Sequence, residues 1–126
     1  MHTAILGIGS NINPNENIHQ AIILLSEVGH VDQLSEIKVT KPIGITDQPD
    51  FSNGAVLITT DLNESELTDQ LKLIENKLGR DRSRPKFGPR EIDLDIVIFD
   101  DVIVDEDYHS RDFLKELVDS VWFRNT

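Results

Sequence analysis

Apolar positions along the chain follow two different periodicities, and the alternation between them predicts the order of the elements. Residues 3–9 form a short apolar segment that runs into a Gly-x-Gly-Ser turn, which is typical of a buried strand. Residues 51–60 and 92–99 alternate between two sets of side chains, as the two faces of a strand do. Residues 31–43 carry a weaker pattern, which predicts an irregular strand.

Two stretches with apolar residues at helical spacing lie between these strands. The first has Asn13 as a candidate N-cap and Pro14 at the first helical position, and it is expected to end near Gly29. The second opens at Asn63, carries a glutamate three residues later as a capping box does, and stops at Gly79. Each stretch predicts an amphipathic helix that packs one face against a sheet.

The elements, taken in order, are β-α-β-β-α-β. This is the split βαβ arrangement of a ferredoxin-like sandwich, so the sequence predicts an α+β fold. We expect residues 1–126 to form one domain, because the length suits one domain and no repeat, linker or low-complexity tract divides the sequence. A short additional helix is expected near residues 111–119. The fold does not identify an activity, since this architecture serves many functions.

Composition and charge narrow the classes of partner. The 126 residues contain 12 lysines and arginines against 23 aspartates and glutamates, a net charge of −11 with a pI near 4.6. A chain this acidic is unsuited to broad contact with nucleic acid or an anionic membrane, so neither partner is expected. The sequence has no cysteine, no apolar run of transmembrane length and no signal-like N-terminus, and we therefore expect a cytoplasmic protein.

Basic residues nevertheless concentrate in one segment. Five of the 12 lie between residues 80 and 90, where only Asp81 opposes them: Arg80, Arg82, Arg84, Lys86 and Arg90. A charged run of this kind is often only a solvated loop. In so acidic a protein it favours an anionic ligand, and the planar guanidinium group suits phosphate. Gly88 and Pro89 indicate a shaped turn within the run.

The strand after this segment presents two carboxylates on one face. Period-two alternation places four apolar residues toward the helices: Ile92, Leu94, Ile96 and Ile98. Asp93 and Asp95 then share the opposite face, with Cα atoms about 6.6 Å apart at the usual strand rise. An isolated Asp-x-Asp is more often a solvated pair. Beside an arginine-rich loop, however, it favours a Mg²⁺ site for phosphoryl transfer, because Mg²⁺ is usually held by one or two carboxylates and substrate phosphates.

A second group of side chains is suited to binding an acceptor molecule. Phe51 and Asn53 project from the same strand face, one able to stack on a flat ring and the other able to hydrogen-bond its edge. Thr40 and Pro42 lie on the far side of the adjoining turn-rich loop and are expected to form a wall of this binding site. Taken singly, Phe51 fits a core position and Asn53 a turn position, so only the combination indicates a binding site.

The order of these motifs resembles one enzyme family. The matching residues are GIGSN at 7–11, DQPDFSN at 47–53 and FGPREIDLD at 87–95, with Glu75, Arg80 and Arg82 between the last two. Over about residues 3 to 104 the chain resembles the 6-hydroxymethyl-7,8-dihydropterin pyrophosphokinases of folate biosynthesis. The resemblance implies a ferredoxin-like fold and transfer of the β,γ-pyrophosphoryl group of ATP to the pterin hydroxymethyl oxygen, with release of AMP.

The resemblance also implies roles for individual residues. Asp93 and Asp95 correspond to the aspartates that hold two Mg²⁺ ions, and Arg80 and Arg90 to arginines that act with them in catalysis. The positions implied to bind the nucleotide are Glu75, Arg82, Ile96 and Arg111. The positions implied to bind the pterin are Thr40, Ile43, Phe51, Asn53, Phe87 and Phe113, with Phe113 as a second stacking aromatic.

The chain departs from the family pattern after the final strand. The family usually carries a Leu-x-x-Pro-His-Pro-like segment that helps to hold adenosine, followed by Arg-x-Phe. Here a shorter segment without proline reaches Arg111 and Phe113, and His109 is the candidate for the missing histidine. Trp122 and Phe123 are expected to pack in the core.

Three functions follow, in order of preference. The first is a Mg²⁺-dependent pyrophosphokinase that uses ATP and a pterin and acts as a monomer or weak dimer. The second is a non-catalytic pterin- or nucleotide-binding relative that has lost productive ATP binding. The third is an RNA-binding ferredoxin-like domain, which the acidic charge and the aspartate pair disfavour.

Overall fold

The computed structural model describes residues 1–122, which form a six-stranded antiparallel sheet and four helices. The strands are β1 (His2–Ser10), β2 (His30–Leu34), β3 (Lys38–Thr40), β4 (Phe51–Thr60), β5 (Asp93–Phe99) and β6 (Val102–Ile103). The helices are α1 (Pro14–Leu25), α2 (Glu64–Lys77), α3 (Asp107–Ser110) and α4 (Asp112–Val121). None of these described helices has the length and apolar character needed to cross a bilayer.

The strand order confirms the predicted α+β, ferredoxin-like fold. The sheet runs β2-β4-β1-β5-β6, and β3 also pairs with β4. With α1 after β1 and α2 after β4, this is the βαββαβ sandwich that the sequence predicts. The irregular strand predicted over residues 31–43 is divided into β2 and β3, and the short helix predicted near 111–119 is α4, preceded by α3.

The helix starts follow the cap signals to different degrees. Asn63 Oδ1 accepts from the Glu66 amide at 2.8 Å and Glu66 Oε1 accepts from the Asn63 amide at 3.0 Å, so α2 has the predicted capping box. Asn13 occupies the N-cap position of α1, but its left-handed backbone (φ 43°) leaves the side chain without a cap bond. The helix ends at Leu25, before the predicted stop at Gly29.

The sheet separates two apolar cores. Helices α1 and α2 cover one face, where Val56 is buried, and α3 and α4 cover the other, where Ala55 is buried. This division confirms the two predicted faces of β4. Trp122 packs against the second core, and its indole N–H donates to Asp101 at 3.0 Å. Phe123 lies outside the described residues.

The predicted apolar face of β5 is confirmed for Ile92, Leu94 and Ile96 and is wrong for Ile98. The register between β1 and β5 shifts beside Ile5, and the extra residue on β5, Val97, forms a bulge. Because a one-residue shift reverses the side-chain alternation, Ile98 joins the second core instead of facing α1 and α2. Asp93 and Asp95 precede the bulge and keep the common face that the sequence predicts.

Candidate active site

Three neighbouring strands bring the carboxylates and the acceptor-binding residues onto one sheet face. Asp93 on β5 pairs with Gly9 on β1, and Gly9 pairs with Asn53 on β4. Residues in register project from the same face. A Cβ at Gly9 would lie 3.1 Å from Asn53 Oδ1, so the glycine keeps the space between Asp93 and Asn53 open.

A pocket of about 200 Å³ lies over this row, and we call it the aromatic pocket. Its wall includes the six residues that the resemblance assigns to the pterin: Thr40, Ile43, Phe51, Asn53, Phe87 and Phe113. Asn53 Nδ2 donates to Thr40 Oγ1 at 2.6 Å, which holds the amide in one orientation. Asp93, Asp95 and Arg90 complete one side of the pocket, so aromatic rings and an amide adjoin the carboxylates.

A wider cleft of about 680 Å³, the charged cleft, borders the same two aspartates. Its walls come from α2, from Arg80 in the loop before β5 and from the acidic residues 105–107 after β6. Three of the four residues that the resemblance assigns to the nucleotide line it: Glu75, Arg82 and Ile96. The fourth, Arg111, lines the aromatic pocket instead, and its Nη2 lies 3.6 Å from Asp107 Oδ2.

Asp93 and Asp95 have different surroundings. Asp93 Oδ1 accepts from Arg80 Nη1 at 3.0 Å and its Oδ2 accepts from Arg90 Nη1 at 2.7 Å. Asp95 has no ion pair within residues 1–122. It keeps an exposed edge in the cleft, but the protein atoms around it remove much of its hydration. This desolvation, followed by the negative charges of Asp93 and Glu75, raises the pKa of Asp95 to about 7.

Glu75 anchors the arginines of the charged cleft. Its side chain is 6% exposed, and its Oε2 accepts from Arg80 Nη1 at 3.2 Å and from the Leu94 amide at 2.9 Å. Its Oε1 accepts from Arg82 Nη2 at 2.9 Å. With both oxygens engaged, Glu75 connects α2, the loop and β5. Glu75 therefore borders the cleft and holds Arg80 and Arg82 in it.

Two residues that the sequence analysis assigned no role connect the loops around the aromatic pocket. Asn11 is buried at the end of β1, where its Nδ2 donates to Gln48 Oε1 at 2.8 Å and its Oδ1 accepts from the Arg90 amide at 2.8 Å. Gln48 Nε2 donates to Phe87 O at 2.6 Å. Both residues belong to the sequence motifs that the chain shares with the pyrophosphokinase family, GIGSN and DQPDFSN. Their place in these motifs is the sequence feature that could have indicated a role for them.

Packing of Phe87 against Gly44 also connects the loops around the aromatic pocket. Gly44 has φ of +83°, and a Cβ at this position would lie 3.0 Å from atoms of Phe87. Phe87 therefore packs directly on the backbone of the loop at 44–50, in a conformation that favours glycine. His109, by contrast, is exposed and lines neither the aromatic pocket nor the charged cleft.

Comparison with known proteins identifies the family. Residues 5–121 match the family model described as 7,8-dihydro-6-hydroxymethylpterin-pyrophosphokinase, HPPK. The chain belongs to this family. It is 37% identical over 125 residues to the 2-amino-4-hydroxy-6-hydroxymethyldihydropteridine pyrophosphokinase of Haemophilus influenzae, an alignment that covers 90% of this chain and 78% of that protein.

Other relatives carry the same name. The Bacillus subtilis protein is 43% identical over 99 residues, and the alignment covers 76% of this chain and 59% of that protein. The Aquifex aeolicus protein is 35% identical over 105 residues, with 82% and 65% covered. The family that the sequence motifs resemble is thus confirmed, and the chain spans between about three fifths and four fifths of the length of these HPPK relatives.

The donor chemistry of the HPPK-family site fits Mg²⁺. Asp93 and Asp95 are hard oxygen donors on one face, and both border the aromatic pocket and the charged cleft. Within residues 1–122 no cluster of three or more His, Cys, Asp or Glu side chains could hold a metal by itself. Two carboxylates that leave the other positions to phosphate oxygens and water are the arrangement in which Mg²⁺ is usually bound.

Proposed function

We propose that this chain transfers the β,γ-pyrophosphoryl group of ATP to the hydroxymethyl group of 6-hydroxymethyl-7,8-dihydropterin and releases AMP. Membership in the HPPK family and the names of its relatives indicate pyrophosphoryl transfer to a hydroxymethyldihydropterin in folate biosynthesis. The observation that carries the proposal at the level of residues is the position of Asp93 and Asp95, which border both the aromatic pocket and the charged cleft.

In this proposal the pterin ring occupies the aromatic pocket. Phe51, Phe87 and Phe113 supply ring faces for stacking, and Asn53 supplies an amide for the polar edge of the pterin. The bond from Asn53 to Thr40 holds the amide in place before the ligand arrives. A pterin bound this way directs its hydroxymethyl group toward the aspartates.

The triphosphate occupies the charged cleft. Arg80 and Arg82, held by Glu75, meet the phosphates there, while Arg90 reaches the reacting group from the aromatic pocket. Fixed guanidinium groups stabilise the negative charge that develops on the transferred group and on the leaving AMP. Positioning and electrostatics account for catalysis in this scheme, and it assigns no side chain as a general base.

Dependence on Mg²⁺ is part of the proposal. Asp93 and Asp95 are the residues that would hold the metal, as two ions in the arrangement implied by the family resemblance. Mg²⁺ held by these residues would supply charge neutralisation of phosphate oxygens and their orientation for an in-line displacement. Before the nucleotide binds, Asp93 is paired with Arg80 and Arg90. Those two arginines therefore exchange a carboxylate partner for phosphate when the nucleotide enters.

A coupled assay for AMP tests the proposal. The chain is mixed with ATP, Mg²⁺ and 6-hydroxymethyl-7,8-dihydropterin, and AMP is expected only when the pterin is present. Asp95→Asn is expected to lower kcat by roughly a thousandfold, as the loss of a group that stabilises transition-state charge does. Asp69→Asn, which removes the same charge from an exposed position on α2, is the matched control and should retain activity.

Two results would contradict the proposal. If Asp95→Asn turned over at close to the wild-type rate, the proposed role of the aspartate pair in the reaction would be wrong. Binding of pterin to the wild-type chain without Mg²⁺-dependent formation of AMP would favour the alternative of a relative that has lost productive ATP binding.

A further inference from the structure

The five cations of the basic loop, residues 80–91, divide into three groups. Arg80 and Arg82 line the charged cleft, and Lys86 and Arg90 line the aromatic pocket. Arg84 lines neither of these two spaces. The two proposed binding spaces therefore account for the positions of the other four cations and leave Arg84 unexplained.

Arg84 is bound to the far end of its own loop. Its Nη1 lies 2.8 Å from Glu91 Oε1 and 2.9 Å from Glu91 Oε2, and it also lies 3.4 Å from Pro89 O. The Glu91 side chain is 14% exposed and that of Arg84 is 32% exposed, so the ion pair is partly shielded from water. Shielded, charge-assisted bonds of this kind hold their partners more firmly than exposed surface pairs do.

A second set of bonds continues the connection toward the start of the loop. Asp81 Oδ1 accepts from the Ser83 hydroxyl at 2.6 Å and from the Ser83 amide at 3.0 Å. Arg84 Nε lies 3.9 Å from Asp81 Oδ2. These hydrogen bonds, together with Arg84, keep the pKa of Asp81 below its ordinary value. Arg84 is thus the centre of a chain of contacts that runs from Asp81 to Glu91.

The segment enclosed by Arg84 and Glu91 carries two residues of the proposed site. Within it, the Gly88 amide donates to Pro85 O at 2.8 Å and closes a tight turn. Phe87 lies in this turn and lines the aromatic pocket, and Arg90 follows it, with Nη1 2.7 Å from Asp93. The Arg84–Glu91 pair therefore joins the two ends of the segment that presents Phe87 and Arg90, in addition to the bonds that Gln48 and Asn11 make to those residues.

We propose that Arg84 and Glu91 form a positioning pair, which holds Phe87 against the pterin and Arg90 against Asp93 without contacting either substrate. This inference rests on the proposed function, since it gives the pair a part in that reaction. Its rival is direct binding of phosphate by Arg84, which would require the guanidinium to leave Glu91. The two are separable, because a positioning pair tolerates exchange of its charges and a phosphate ligand does not.

Glu91→Gln is the first test, because it removes the charge, keeps the shape and changes no residue that lines either space. We expect the KM for 6-hydroxymethyl-7,8-dihydropterin to rise by about tenfold, as small misplacements of binding groups cause losses of this order or more. Binding of a non-hydrolysable ATP analogue, measured by calorimetry with Mg²⁺, should weaken less than the pterin KM rises, because Glu75 and not Glu91 holds Arg80 and Arg82, and Arg90 is the one phosphate-binding arginine in the segment that the pair positions.

Reversal of the charges gives the sharper result. Arg84→Glu places two acidic side chains together and should be the worst single variant, whereas the double variant Arg84→Glu/Glu91→Arg should recover the pterin KM to within about threefold of wild type. Glu116→Gln is the matched control, since it breaks an exposed pair with Lys38 of 2.9 Å, close to the 2.8 Å of the Arg84–Glu91 pair. This control should leave both KM values unchanged.

Trypsin cleavage provides a readout that does not depend on turnover. The product cut after Lys86, identified by its mass, should form faster in Glu91→Gln and return to the wild-type rate in the double variant. Wild-type kinetics and cleavage in Glu91→Gln, or a double variant as poor as Arg84→Glu, would overturn the positioning pair while the wild-type chain remains active. A wild-type chain without any pyrophosphokinase activity would instead overturn the proposed function.

Discussion

The aromatic pocket and the charged cleft share Asp93 and Asp95 but are built on different principles. In the aromatic pocket the proposed contacts are neutral rings and an amide whose N–H is already bonded to Thr40, so a flat ring enters without breaking them. In the charged cleft Arg80 and Arg82 are already bound to Glu75, and Arg80 also to Asp93. Under the proposed function a nucleotide must therefore replace contacts within the protein, and its affinity depends on the difference between the two sets of partners.

In the proposed function, this contrast lets the same two aspartates serve ligands of different kinds. Asp93 is neutralised by arginines from the protein, whereas Asp95 lies in the cleft without an ion pair among residues 1–122 and has a raised pKa. A polyphosphate with its cations satisfies both groups at once, because phosphate attracts the arginines and the metal attracts the carboxylates. A neutral pterin does neither. Variants that act on one space and leave the other unchanged should separate these two modes of binding.

Glu75→Gln should produce the largest separation. The change leaves Arg80 and Arg82 without their buried anion, and we expect the free energy of unfolding to fall by about 3 kcal/mol, as when one partner of a buried ion pair is removed. The KM for ATP should rise by up to about a hundredfold, since misplaced phosphate-binding groups act at the reacting centre. Binding of pterin, followed by calorimetry, should remain within about twofold of wild type.

Glu66→Gln is the matched control for this variant, because it removes a carboxylate from the same helix at an exposed cap. It should lower stability slightly and leave both affinities unchanged. If Glu75→Gln weakened pterin and ATP to the same extent, the two spaces would not be independent, and the contrast between them would be wrong.

Asn53→Ala should affect the aromatic pocket and leave the charged cleft unchanged. It removes the amide from the wall of the aromatic pocket, and the KM for pterin is expected to rise by about tenfold, a usual cost of one lost polar contact to a buried ligand. Thr40→Val removes the bond that orients the amide and should have a smaller effect in the same direction. Calorimetry with the ATP analogue should detect no change in either variant, and an equal loss of nucleotide binding would contradict the assignment of the pocket.

The sequence could predict features that depend on neighbours along the chain. The bounds of β4 agree with the alternation over 51–60, and the capping box from Asn63 to Glu66 sets the start of α2. The common face of Asp93 and Asp95 follows from period-two alternation in a single strand. For the same reason the Phe51 and Asn53 side of the pocket could be anticipated, since both residues belong to that strand.

Features that depend on contacts between distant segments could not be predicted in this way. The bulge at Val97 arises from the pairing of β5 with β1, and no local pattern indicates it. The bonds from Asn11 to Gln48 and Arg90 connect segments that are far apart in the sequence. Arg84 looks like its neighbours in a basic run, and only the folded loop shows that its charge is directed at Glu91.

Arg90→Gln tests whether protein arginines compete with a metal for Asp93. In the absence of nucleotide this variant should bind Mn²⁺, used as a probe, about fivefold more tightly than wild type, because one cation that neutralises Asp93 is removed. Lys77→Gln is the control, since it removes an exposed cation at the end of α2 that lines neither space. Titration followed by electron paramagnetic resonance measures both. Weaker Mn²⁺ binding in Arg90→Gln would show that Arg90 does not compete for Asp93.

The smallest expected effect concerns Asp95 and the pH of the solution, without divalent metal. Its pKa is about 7 in the folded protein and near 3.8 when the chain is unfolded, so the folded state holds the proton more tightly. Ionisation of Asp95 therefore costs stability progressively between about pH 4 and pH 7, and the full cost remains above that range. Asp95→Asn removes the cost, so its gain over wild type should be larger at pH 8 than at pH 5.

Because Asp95 keeps an exposed edge, solvent screening should limit the difference between the two pH values to about 1 kcal/mol. Urea unfolding in a buffer with a chelator measures it, and Asp69→Asn corrects for the general relief of negative charge in a chain of net charge −11. An Asp95→Asn gain that is the same at pH 5 and pH 8 would mean that water reaches the carboxylate freely. The charged cleft would then not destabilise ionised Asp95. The difference between the charged cleft and the aromatic pocket would depend on the arginine ion pairs alone.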